Sequence, residues 1–125
     1  MSYKKLEIWQ KARVLVNETH QMTFTALPLF ERYEQGAQLR RSIKSVKANI
    51  VEGYGRRMYK RDFLRFLAYA SASLDESIDH LETLAETRSL TDIQQFEQLR
   101  GGMLALGKQL HAFKLAVERQ HRTGA

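Results

Sequence analysis

Apolar side chains recur along this chain every three or four residues, the repeat of an α-helix, in four separate stretches. In the first, from about Leu6 to Thr25, Trp9, Ala12, Val16, Thr19 and Met22–Thr23 form a stripe that Leu6, Ile8 and Leu15 widen. Leu27-Pro28 bounds it, because proline lacks a backbone donor and biases the preceding residue away from helical dihedrals. Pro28 can open a short helical turn through Tyr33, and Gly36 marks a break or bend. The second stretch spans about Ala37 to Glu52, where Leu39, Ile43, Val46 and Ile50 step by 4, 3 and 4 within a narrow arc. Gly53 and Gly55 are expected to end it in the left-handed dihedrals of a helix C-cap.

The third stretch, Lys60 to about Thr87, is the longest: Phe63, Phe66–Leu67, Ala70, Leu74, Ile78, Leu81 and Leu84–Ala85. In the fourth, Ile93, Phe96, Leu99, Met103, Leu106, Leu110, Phe113 and Val117 give the apolar face. Thr91 is expected to cap it, with Asp92 favourable near the positive end of the helix dipole. Gly101–Gly102 predict a bend or a close approach there, and His121 to Ala125 a frayed tail. Four amphipathic helices joined by short connections bury their stripes best as an all-α, antiparallel up-down four-helix bundle. Residues 1–125 read as one domain, without repeat or linker.

Composition removes the alternatives. One proline, seven glycines and no Asn-Gly or Asp-Gly pair leave almost no hairpin chemistry. The chain has no cysteine, which excludes disulfides and thiolate metal sites. Neither a signal-like run before Lys11 nor a span-length apolar stretch occurs, so a soluble, cytoplasmic protein without a membrane partner is expected. The net charge is +6, and it is concentrated. Residues 36–65 hold nine basic residues (Arg40, Arg41, Lys44, Lys47, Arg56, Arg57, Lys60, Arg61 and Arg65) against Glu52 and Asp62, a local +7 that leaves −1 for the rest.

That segment also carries a pattern: Gln38-Leu39-Arg40-Arg41-Ser42-Ile43, Ser45, the run Ala48-Asn49-Ile50-Val51-Glu52-Gly53-Tyr54-Gly55-Arg56-Arg57, and Phe63-Leu64-Arg65-Phe66-Leu67. Leu6 to Trp9, Leu27-Pro28, Ala70, Ser73-Leu74 and Glu76 fit the same pattern. Together they resemble the four helix bundle protein family, whose members are encoded by intervening sequences inside bacterial large-subunit rRNA genes. That family is similar to the accessory proteins of diversity-generating retroelements. The resemblance covers residues from about 4 to 115 and implies an up-down bundle assembled as a homopentamer. The retroelement relatives are basic barrels that bind nucleic acid and a reverse transcriptase, so those partners follow as expectations. Met58-Tyr59 depart from the pattern, standing where many relatives have a Ser or Thr to cap the third helix.

On the second helix, Arg40, Lys44 and Lys47 share one flank, with Arg41 nearly opposite the core. Beyond the glycine turn the basic run continues through Arg56, Arg57, Lys60, Arg61 and Arg65, with Tyr54 and Tyr59 among them. Cations so placed can neutralise phosphates, and the tyrosines can stack on unpaired bases. The bland alternative is a solvated helix face. A third possibility is assembly: Asp75, Asp79, Glu82 and Glu86 form an acidic stripe that can meet the basic one across a subunit interface, with Ala48, Val51 and Leu64 as apolar contacts. On the other flank Ser42, Ser45 and Asn49 read as structural, allowing a close approach of Ser73 and Ser77, and Arg41 is placed to pair with Glu76. A small-ligand pocket around Asn49 and Glu52 is the competing reading.

No catalytic motif or cofactor fingerprint is present. A carboxylate-bridged di-iron bundle needs two inward Glu-x-x-His motifs, whereas the chain offers one such spacing, Glu118 to His121, in the expected tail. Its histidines (His20, His80, His111, His121) share no ligand spacing, so no metal is expected. The sequence therefore predicts a non-enzymatic, nucleic-acid-binding homo-oligomer, with a protein-docking scaffold as the alternative.

Overall fold

Each of the four apolar stripes is buried along one face, and together they fill a single core. The computed structural model describes residues 2–124, with side chains from 2 to 120; the frayed tail expected from His121 lies outside those described side chains. A 3-10 turn (Tyr3–Lys5) precedes α1 (Glu7–Thr25), the single turn α2 (Leu29–Arg32), α3 (Gln35–Gly55), α4 (Lys60–Glu86) and α5 (Ile93–Gly124). The four long helices close a square in which α1 packs on α3, α3 on α4, α4 on α5, and α5 back on α1. The molecule is an all-α four-helix bundle with no strand among the described residues.

Small polar residues set the antiparallel register of α3 and α4, the most extensive pairing. The Ser42 and Ser77 hydroxyls hydrogen-bond at 2.7 Å, those of Ser45 and Ser73 at 2.9 Å. Further along, a Cβ on Gly53 would stand 3.1 Å from the Phe66 Cβ. Paired hydroxyls satisfy each other in a buried seam where an unpaired one would cost about 1–3 kcal/mol. Leu39, Ile43, Val46 and Ile50 are all buried, as are Leu67, Leu74, Leu81 and Leu84 facing them.

Several boundaries differ from expectation. Gly36 does not break the chain but lies inside α3, where a Cβ would meet the Glu31 carbonyl oxygen at 2.8 Å. Gly53 and Gly55 are helical, and no described glycine has a positive φ. Gly53 is required by closeness to α4 rather than by a left-handed cap. The left-handed residue is instead Arg88 (φ 64°), just past α4, where Ser89 N–H donates to Leu84 O at 2.9 Å and Arg88 N–H to Ala85 O at 3.1 Å. Those two bonds are the Schellman pattern that usually selects glycine. At α5 the cap is Asp92, not Thr91: its carboxylate accepts from Gln95 N–H at 3.1 Å. That shift carries Ile93 out of the core to 74% exposure.

Candidate nucleic-acid interface

The two ends of the bundle treat charge differently. At the end holding α2 and the α4–α5 connection, polar side chains turn inward as straps. Glu31 accepts from Gln35 N–H (3.1 Å) and from the Ser89 hydroxyl (2.7 Å), joining α2, α3 and the connection. Buried His80 lies between Gln35 Nε2 (2.6 Å at Nδ1) and Glu76 Oε2 (3.2 Å at Nε2). The expected Arg41–Glu76 pair is therefore replaced by Glu76–His80, one helical turn apart on α4, and no described ion pair joins Arg41 to Glu76. Arg40 is also a strap: its Nη1 donates to Thr23 Oγ1 at 2.8 Å, and its guanidinium lies 4.3 Å from the Phe24 ring centroid.

The opposite end carries the α3–α4 turn, residues 56–59. The turn is closed by its own backbone, with Arg56 N–H bonded to Gly53 O, Arg57 N–H to Tyr54 O, and Tyr59 N–H to Arg56 O at 2.9 Å. Asp62 sits between two arginines, 3.7 Å from Arg56 and 3.1 Å from Arg65, and both guanidiniums lie over the Phe66 ring. Glu52 adds a 3.6 Å contact to Arg56. Arg57 donates to Tyr54 O (3.0 Å) and stacks 4.3 Å from the Tyr54 ring, whose edge packs on Phe63. Lys60 and Arg61 form no side-chain hydrogen bond or ion pair among the described residues, and neither do Arg41, Lys44 and Lys47.

The nine sequence-predicted cations thus do not form one continuous stripe. Arg56, Arg57, Lys60, Arg61 and Arg65 gather at the turn. Arg41 and Lys44 lie on exposed α3 surface, and Arg41 is about 22 Å from Arg56 along the helix at 1.5 Å per residue. Lys47 is half-buried between the two groups. The acidic stripe is likewise divided: Glu82 accepts from Arg100 on α5 at 2.8 Å, while Asp75, Asp79 and Glu86 remain exposed. Tyr54 is engaged on its ring, whereas Tyr59 is 69% exposed and adjacent Met58 86%.

Sequence reading missed Lys4 and Lys5. The N-terminal turn packs on α3, and Tyr3 lines a shallow groove with Ala48, Val51, Tyr54, Gly55 and Arg57, which brings both exposed lysines to the basic end. Only packing reveals this, because 50 residues separate Lys5 from Gly55 along the chain. Of the pocket considered around Asn49 and Glu52, only Glu52 is in place: it lines that same groove and also contacts Arg56, whereas Asn49 does not line it and its Nδ2 donates to Ser45 O at 2.8 Å. Among the described residues no three His, Asp or Glu side chains gather as a metal site requires. No described helix is long and apolar enough to cross a membrane.

Residues 4–112 match the model of the 23S rRNA-intervening sequence protein family, which is most of the chain. The chain belongs to that family. Its fold is shared with a crystal structure of a protein of unknown function from the S23 ribosomal protein family of Bacteroides thetaiotaomicron, at a TM-score of 0.77 and 20% identity. The similarity covers 86% of this chain and 97% of that one; at such identity it shows the fold alone. No curated protein matches the chain. The departure at Met58-Tyr59 has a structural counterpart, since α4 begins after Tyr59 with no side-chain cap.

Proposed function

We propose that this family member is a non-enzymatic nucleic-acid-binding protein that acts as a homo-oligomer and holds phosphates at its basic end. The observation that carries the reading is the unequal use of charge at the two ends of the bundle. Arg40 is consumed as a strap, whereas exposed Arg61 and half-buried Lys60, beside the α3–α4 turn, are unpaired among the described residues. Arg57 and the lysines of the N-terminal turn lie at the same end. Such a surface binds phosphates through counterion release and needs no base-specific geometry. Assembly as a pentamer multiplies these ends, and a reverse transcriptase is the protein partner that the retroelement resemblance suggests.

The test is titration of labelled duplex and single-stranded oligonucleotides at two salt concentrations. Affinity should fall steeply with salt and depend little on sequence. Replacing Arg57, Lys60 and Arg61 with glutamine should flatten the log–log slope by about 0.9 for each duplex phosphate no longer neutralised, with helical content and light-scattering mass unchanged. Absence of binding by the unaltered protein at low salt would reject the proposal. The scaffold reading is favoured by one observation, the mixture of Ala37, Ala48 and Val51 with Arg41 and Lys44 on outward α3. Replacing Arg41 and Lys44 should then lower the oligomeric mass while leaving duplex binding intact.

A further inference from the structure

We infer that the basic end takes a single-stranded polynucleotide, with Tyr59 as the platform on which one unpaired base stacks. This rests on the nucleic-acid reading above and adds the strand form and the residue that selects it.

The two tyrosines of the turn have different fates. Tyr54 is half-buried, with the Arg57 guanidinium over its ring at 4.3 Å and an edge-type contact to Phe63 at 6.4 Å, so it is already engaged within the protein. Tyr59 has no ring or cation partner among the described residues and is 69% exposed. An exposed aromatic ring costs solvation free energy that burial would recover, about 25 cal/mol per Å² of apolar area. Its place is fixed nonetheless. Tyr59 N–H bonds to Arg56 O at 2.9 Å and its carbonyl accepts from Phe63 N–H at 2.9 Å, so both backbone groups are tied to the turn and to the first turn of α4. A ring held at a rigid point requires less ordering on binding than one on a mobile loop.

Its neighbours suit a polynucleotide. Lys60 and Arg61 follow it directly, and Arg56 and Arg57 precede it across Met58. A base on Tyr59 would therefore have Lys60 and Arg61, unpaired among the described residues, next to it in the chain for a flanking phosphate. Duplex bases have both faces occupied by their neighbours, so a duplex can use the cations but not the ring. Stacking is tolerant of base identity, because every base has a π-face.

The experiment compares unaltered protein, Tyr59→Ala and Tyr59→Phe against oligo(dT), oligo(rU) and a mixed-sequence duplex at fixed salt. Base–aromatic stacking is worth about 1–3 kcal/mol, so Tyr59→Ala should weaken single-strand binding by roughly 5- to 150-fold and duplex binding little. Tyr59→Phe should retain affinity, which separates stacking from any role of the hydroxyl. Oligo(dT) and oligo(rU) differ in both sugar and base methyl, and weakening of both by Tyr59→Ala is the result expected of stacking. Equal weakening for duplex and single strand, or none for either, overturns the inference while the nucleic-acid reading stands. No binding of any probe by unaltered protein overturns both. If Tyr59→Ala and Tyr59→Phe both leave nucleic-acid binding unchanged but Tyr59→Ala lowers light-scattering mass, Tyr59 is a protein contact and the inference fails.

Discussion

The same side chain, arginine, serves opposite purposes at the two ends of this bundle. Arg40 is half-buried, bonded to Thr23 and laid over Phe24, so it joins α3 to α1. Arg61 is exposed and has no described partner. The difference lies in what each helix finds beside it. Arg40 emerges where α1 supplies a hydroxyl and a ring, whereas Arg61 follows a turn whose backbone is already satisfied internally. Charge count by itself is therefore a poor guide to an interface. The strapped end converts Arg40, Glu31 and His80 into restraints between elements. The other end holds Arg56, Arg57 and Arg65 by local contacts and leaves Lys60 and Arg61 unpaired among the described residues.

The largest expected effect falls on the strapped end. Gly36→Ala places a methyl group 2.8 Å from the Glu31 carbonyl oxygen and 3.0 Å from Leu27 Cδ1, so backbone has to move. The cost should be about 1–3 kcal/mol by urea unfolding, as for other overpacked sites, with nucleic-acid affinity of the folded protein unchanged. Failure to bind at temperatures where the variant is fully folded would show that the ends are coupled.

Next comes the direct contrast. Arg40→Ala removes a hydrogen bond and a cation–π contact and should destabilise by about 1–2 kcal/mol. Arg61→Ala should stay within about 0.5 kcal/mol of the unaltered protein, because it leaves an exposed site without described partners. Equal destabilisation in thermal unfolding would erase the distinction between strap and free cation.

The smallest effect concerns Asp62, whose carboxylate occupies Arg56 and Arg65 together. These pairs are partly exposed and worth about 0–1 kcal/mol each. Asp62→Asn should free Arg65, leave Arg56 with Glu52 alone, and raise affinity for a duplex oligonucleotide by about 2- to 5-fold at low salt, fading as salt rises. A decrease in affinity would show that Asp62 holds the arginines in their binding position.

Much of the fold was legible because helical periodicity is a local property. Leu39, Ile43, Val46 and Ile50 announce a buried face whatever they pack against, and they are buried. The close approach of Ser42 and Ser45 to Ser73 and Ser77 was legible too, although the sequence did not say that their hydroxyls pair. The caps were less so. Asp92 and Thr91 can both cap a helix, and the choice depends on where the connection lands on Leu90, which is buried. Arg88 in a left-handed conformation has no signal in its residue type, which would ordinarily disfavour it.

What the sequence determined by itself is the number of helices, the faces they bury and the local excess of charge, because each depends on residues within a few turns of one another. Which cations remain available was decided only by tertiary structure. Arg40 found Thr23, seventeen residues away; Glu76 took His80 rather than Arg41; and Lys4 and Lys5 joined the basic end through a turn packed on α3. Polar side chains are short-ranged in what they bond and long in reach, so their partners depend on angstrom-scale placement of neighbouring helices. No one-dimensional pattern encodes that placement for the basic end of this protein.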